Sequence, residues 1–128
     1  MAIKILVVDD EHAIADTVAE ILRTAGYEVA TAYNGTQALA QASQSCPSLL
    51  LTDVLMPQTN GFEVALEIKR KCPECRLLLF SGQASTAQLA STYVQKFTNR
   101  GYRFELLPKP LHPDSLLKRL EESLMRRS

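Results

Sequence analysis

The stretch KILVVDDE, residues 4–11, places the apolar residues Ile5, Leu6, Val7 and Val8 directly before three acids, Asp9, Asp10 and Glu11. The apolar run reads as a buried strand. Adjacent carboxylates repel, and desolvated carboxylates are costly unless they are paired or hold a cation. A chain that buries a strand and then clusters acids at its tip needs negative charge at that place.

Outward from this strand, short apolar runs alternate with longer amphipathic ones. Residues 13–25 carry Ile14, Val18, Ile21 and Leu22 on one helical face and stop at Gly26. Residues 27–32 are rich in β formers. Asn34-Gly35 is a turn that opens a second helix through Ala38, Leu39 and Ala42, ending before Pro47. Residues 49–52 form a third buried run, ending in Asp53. Residues 62–72 are helical, with Val64, Leu66 and Ile68 apolar. Residues 76–80 form the fourth strand, before Ser81-Gly82. A long helical segment over 84–98 is broken by Asn99-Arg100-Gly101. Residues 102–107 are the fifth strand, before Pro108-Lys109-Pro110. Pro113-Asp114 starts a last helix with Leu116, Leu117, Leu120 and Leu124 inward. Five β–α units in this order predict an α/β fold, a doubly wound parallel sheet with helices on both faces. We find no linker, repeat or low-complexity segment, so residues 1–128 are expected to be one domain with no output domain attached.

The bulk composition fits that reading. With 128 residues, 46% hydrophobic and 22% charged, the chain can bury a core, which argues against disorder. Lys+Arg and Asp+Glu are 14 each, so no net charge points to nucleic acid or to a membrane surface. The basic end, Met125-Arg126-Arg127-Ser128, suits the negative end of a helix dipole. No signal-peptide pattern opens the chain, and no apolar run nears the roughly 18 residues of a membrane span. The expected location is cytoplasmic. An odd count of cysteines, Cys46, Cys72 and Cys75, argues against a disulfide framework in that compartment. Cys72-Pro73-Glu74-Cys75 has the spacing of a zinc half-site, but no second half follows, and packing is the expected role.

In parallel α/β sheets, ligands bind beyond the carboxyl ends of the strands. There the first strand offers Asp9 and Asp10, the third Asp53, the fourth Ser81 and the fifth Lys109. Clustered carboxylates suit a hard divalent cation such as Mg²⁺. A carboxylate can be a nucleophile that forms an aspartyl phosphate, and phosphoryl transfer asks chiefly for positioning and charge neutralisation. Lys109 supplies positive charge, and Ser81 can hydrogen-bond a phosphoryl oxygen. Each acid alone is as consistent with a helix N-cap. The joint appearance at four strand ends favours a site. Glu11 reads as a first-turn helix acid, not as a ligand.

The ordered motifs VVDDE (residues 7–11), TDVLMPQTNG (52–61), FSG (80–82) and PKP (108–110) resemble the receiver (CheY-like) domain of two-component response regulators, over about residues 3–126. The resemblance implies the flavodoxin-like (βα)5 fold with a five-stranded parallel sheet in the order 2-1-3-4-5. It implies that Asp53 accepts a phosphoryl group from the phosphohistidine of a sensor histidine kinase or a histidine phosphotransfer protein. Asp10 would bind Mg²⁺ directly, Asp9 through water, and Asp53 and the Leu55 carbonyl would complete the protein ligands. Ser81 would move toward the phosphoryl group, and Lys109 would pair with Asp53 and then with the phosphate. The Lys109-Pro110 bond would be cis. A stand-alone receiver of this kind is a phosphorelay component and not an enzyme beyond its own phosphorylation and dephosphorylation. It would be a monomer or weak homodimer and act on an unnamed downstream protein through its fourth helix, fifth strand and fifth helix.

Two departures from the family pattern bear on output. The family carries an aromatic residue three positions before the strand-end lysine, where this chain has Leu106; Tyr102 and Phe104 lie on the same face of the strand. The segment from Ser81 to Lys109 is also several residues longer than usual. The excess falls in YVQKFTNRGYR, residues 93–103, and predicts a longer fourth helix or a longer loop after it. Leu55 and Gln83 occupy positions at which the resembled family controls access of the hydrolytic water, and an apolar Leu55 predicts slow self-dephosphorylation. A haloacid-dehalogenase-type phosphatase needs a second Asp two residues after the nucleophile, where Leu55 stands. A phosphate-independent receiver-like interaction module is the alternative that Leu106 keeps open. A dinucleotide site is disfavoured because the first β–α turn has no glycine.

Overall fold

The computed structural model describes residues 3–82, 85–109 and 112–126. The strands of the main sheet are β1 (Lys4–Val8), β2 (Glu28–Ala32), β3 (Leu49–Asp53), β6 (Arg76–Ser81) and β7 (Glu105–Pro108), with a short pair, β4 (Leu55–Met56) and β5 (Thr59–Asn60), between β3 and the third helix. The helices are α1 (His12–Thr24), α2 (Gly35–Gln44), α3 (Gly61–Lys71), α4 (Ser85–Asn99) and α5 (Pro113–Met125). The five long strands are parallel in the order β2-β1-β3-β6-β7, the order expected of the doubly wound flavodoxin-like fold.

The period-two alternation of strand side chains divides the core between two faces. Leu6, Val8, Leu50, Leu77 and Leu79 point to the face covered by α2, α3 and α4, where they meet Ala38, Phe62, Ile68 and Phe97. Ile5, Val7, Leu49, Leu51, Leu78, Phe80 and Leu107 point to the other, where α1 and α5 supply Ala15, Leu22, Leu116 and Leu120. Because both faces are covered, β1, β3 and β6 carry the unbroken apolar runs ILVV, LLL and LLLF, with polar residues only at their ends.

Local signals set the helix ends. The Asn34-Gly35 pair is a helix start: Asn34 Oδ1 accepts from the Gln37 N–H at 2.8 Å. Asn60 caps α3 in the same way, accepting from the Glu63 N–H at 3.1 Å. At 15 residues α4 is the longest helix. It closes at Gly101, whose φ of 72° lets the chain reverse. The Gly101 N–H reaches the Thr98 carbonyl at 3.0 Å, and the Tyr102 N–H reaches that of Phe97 at 2.9 Å. This reversal lays Tyr102 edge-on to Phe97, with ring centroids 6.4 Å apart. The expected fifth strand is therefore shorter: Tyr102 and Phe104 precede β7 and pack into an aromatic cluster with Phe62 and Phe97.

The cysteine expectation is corrected. Cys46 and Cys72 form a disulfide, with Cα atoms 5.6 Å apart, joining the chain just after α2 to the end of α3. The two helices pack side by side and end at the same height, a juxtaposition that the 26-residue separation hides in the sequence. Cys75 is free and buried, and burial pushes its thiol up to about 12. It is a packing residue, as expected. Among the described residues no helix is long and apolar enough to cross a membrane.

Candidate metal centre

The carboxyl ends of β1 and β3 bring three acids together. Asp9, Asp10 and Asp53 each offer a carboxylate oxygen, and these atoms lie within 4.8 Å of one another. Lys109, just past the end of β7, reaches across the rim. Its ammonium is 3.2 Å from Asp9 Oδ2 and 3.2 Å from Asp53 Oδ1. Sheet register explains the convergence: Asp53 pairs with Phe80, and Ser81 pairs with Pro108, so each further strand contributes its next residue to the same rim.

Backbone groups fix the acids. Asp9 is almost fully buried, and its Oδ1 accepts from the Glu11 N–H at 3.0 Å. Asp53 Oδ1 accepts from the Val54 N–H at 3.0 Å as well as from Lys109. The turn after β3 folds back tightly: the Gly61 N–H donates to the Val54 carbonyl at 2.8 Å. A Cβ at position 61 would lie 2.2 Å from the Asp53 carbonyl oxygen, so only glycine fits there.

The electrostatics follow from partial burial. Burial raises the Asp53 carboxyl above its ordinary range, the Lys109 ammonium pulls it back, and the Asp9 charge raises it again. For Lys109, burial works against the charged form, but Asp53 and Asp9 overcome it and hold the ammonium above its ordinary value. One ammonium among three carboxylates leaves two negative charges at the rim. An all-oxygen donor set with that residual charge fits a hard divalent cation.

The structure thus brings Asp9, Asp10, Asp53 and Lys109 into one cluster. Leu55 stands beside it on β4 with its side chain partly exposed, lining a cleft of about 760 Å³ with Asp10, Glu11, Asp53, Phe80 and Lys109. Ser81 ends β6 next to Lys109 in register and is partly buried. Gln83 and Pro110, and with them the expected cis bond, lie outside the described residues. Glu11 is the N-cap residue of α1 and contributes its backbone N–H to Asp9. Sequence reasoning missed the roles of the Glu11 and Val54 N–H groups, because backbone donors leave no mark on residue type. The contact of Gly61 with Asp53 had a signal, the glycine closing TDVLMPQTNG.

Comparison with known proteins agrees with this geometry. Residues 5–121 match the sequence family described as the response regulator receiver domain. Response regulator MprA of Mycobacterium bovis is 30% identical over 126 residues, covering 98% of this chain and 52% of MprA. The DNA-binding transcriptional regulator NtrC of Azospirillum brasilense is 32% identical over 123 residues, covering 96% of this chain and 24% of NtrC. The chain therefore spans about half the length of one such relative and a quarter of the other. Among solved structures, Vibrio cholerae chemotaxis protein CheY4 aligns with a TM-score of 0.81 at 31% identity, over 96% of this chain and 99% of that one. A CheY-like receiver domain protein from Methanospirillum hungatei aligns with a TM-score of 0.83 at 29% identity, over 97% and 94%.

Proposed function

The chain belongs to the response regulator receiver family of two-component signalling modules, and on that premise we propose that Asp53 is its phospho-acceptor. The supporting observation is the Lys109 ammonium, held at once on Asp9 and Asp53. Asp53 Oδ1 is occupied by Lys109 and the Val54 N–H, which leaves Oδ2 as the nucleophile. Oδ2 attacks the phosphorus of a phosphohistidine on a histidine kinase or histidine phosphotransfer protein. The P–O bond to Asp53 forms, the P–N bond breaks, and the imidazole leaves with a proton from solvent. Lys109 then turns to the new phosphoryl oxygens, and the Ser81 hydroxyl donates to another.

Asp9, Asp10, Asp53 and the Leu55 carbonyl are the groups that would hold Mg²⁺. The ion supplies charge neutralisation at the phosphoryl oxygens. Glu11 and Val54 hold Asp9 and Asp53 in place through their backbone N–H groups, so little reorganisation is needed as the bond forms. The phosphorylated protein acts on a downstream partner through the surface of α4, β7 and α5.

The test is incubation with acetyl phosphate and Mg²⁺, read by mass as a gain of ~80 Da for one phosphoryl group. The wild-type protein gains it and Asp53→Asn does not. No gain in the wild type, with Mg²⁺ binding shown separately by titration, would favour the phosphate-independent interaction module, the reading that the aliphatic Leu106 supports.

A further inference from the structure

The aromatic position that the family uses on its fifth long strand holds Leu106, a partly exposed side chain that can donate no hydrogen bond. Phe104 is locked edge-on against both Phe62 and Phe97, and Tyr102 against Phe97. These rings are packed into the core around α4. A different tyrosine occupies the path between the acceptor and α4.

Tyr93 projects from the middle of α4 and is 6% exposed. Its ring stacks on Phe62 of α3, with centroids 5.0 Å apart and planes 7° from parallel. Its hydroxyl donates to Glu63 Oε2 and accepts from Asn60 Nδ2 at 3.4 Å. Lys96, one turn further along α4, stands 3.9 Å from the same Glu63 oxygen and 4.9 Å from the centre of the Tyr93 ring. Asn60, Phe62 and Glu63 flank Gly61, whose backbone lies against the Asp53 carbonyl. From there the path reaches α4 through Asn60, Phe62 and Glu63, each of which touches Tyr93.

We propose that Tyr93 is a positioning residue that fastens α4 to the start of α3, and that phosphorylation of Asp53 is relayed to α4 through its hydroxyl. The proposal rests on Asp53 being the acceptor. The turn between β3 and α3 flanks Asp53 and includes Leu55 and Asn60. A new phosphoryl group with its cation changes what this turn must accommodate, so the Asn60 and Glu63 side chains shift relative to Tyr93. The stack on Phe62 keeps the ring in place, and the hydroxyl carries the displacement into α4.

The experiment records backbone amide NMR shifts of the full chain with and without beryllofluoride and Mg²⁺, a mimic of the phosphoryl group. In the wild type, amides near Asp53 and those of Val94, Lys96 and Phe97 all move. In Tyr93→Phe, which keeps the ring and its stack, the Asp53 region responds as before. The α4 displacements fall at least about fivefold, the ratio that a single net hydrogen bond supplies, since the hydroxyl makes two. Glu63→Gln keeps an acceptor and retains the α4 response, whereas Glu63→Ala loses it. Wild-type α4 displacements in Tyr93→Phe and in Glu63→Ala would overturn the proposal. Should Tyr93→Phe not fold, the contrast between Glu63→Gln and Glu63→Ala decides alone. A wild-type protein with no response near Asp53 would instead overturn the acceptor assignment.

Discussion

At the scale of single residues, the site works by unequal desolvation. Asp53 holds its proton more tightly when folded than when unfolded, so its ionisation opposes folding. Its unfavourable contribution grows as pH rises from the ordinary carboxylate range through the raised value of the folded state, and is complete above it. Asp53→Asn should therefore be more stable than wild type at pH 7, with the difference vanishing in acid below the ordinary carboxylate range; thermal melts across pH read this directly. Lys109 has the opposite role. Its raised pKa means its contribution is present below the ordinary lysine value and is lost as pH climbs through the folded one. Lys109→Ala should slow phosphorylation by acetyl phosphate by about 100-fold, the order seen when one preorganised charge-stabilising donor is removed, while leaving the Asp53→Asn product unphosphorylated in either background. Leu55 offers the hydrolytic water no hydrogen bond, so the phosphorylated protein should persist well beyond seconds when acetyl phosphate is removed, as mass spectra over time will show.

At the scale of elements, the start of α3 and the end of α2 carry the most specific demands. Gly61→Ala places a Cβ into the Asp53 carbonyl, against backbone that cannot yield cheaply. Overpacking of this kind costs about 1–3 kcal/mol, measurable by urea unfolding, and should also impair phosphorylation because Asp53 is displaced. The Cys46–Cys72 bond closes a loop that holds β3, β4, β5 and α3. Reduction should lower stability by about 3 kcal/mol, and Cys46→Ser should remove the response to reductant. The sequence was uneven as a guide to these elements. The strand ends Asp9, Asp10, Asp53 and Lys109 were legible because their charges interrupt apolar runs. Helix boundaries were legible within a residue or two, as where Asn34-Gly35 opens α2 and Gly101 closes α4. The β4–β5 pair was not, because its two-residue strands carry no periodicity. The disulfide was not, because compartment and count were weighed where spatial proximity decided. The last long strand was read too long, because Tyr102 and Phe104 look like strand residues but are claimed by the aromatic cluster.

At the scale of the whole molecule, the five strands meet at one rim, and each side of the sheet has its own helices. α2, α3 and α4 share one apolar layer with the aromatic cluster, and the Phe62–Tyr93 stack joins the start of α3 to α4 within it. α1 and α5 share the other. A cation bound at the rim stabilises only the folded state, so Mg²⁺ at 100 times its dissociation constant should add about 2.7 kcal/mol to unfolding, a gain lost in Asp10→Asn.

The placement of β1 has a consequence for the birth of the chain. It is synthesised before either strand it pairs with, yet lies inside the sheet, with Lys4 opposite Glu28 on one side and Ile5 opposite Leu49 on the other. Until Leu49 to Asp53 have been synthesised, one edge of KILVV has no neighbour, and a short apolar β-forming segment with a bare edge invites self-association. The acids that follow it repel another copy of themselves. Asp9 and Asp10 thus guard the nascent strand against its own kind before there is any site for them to serve.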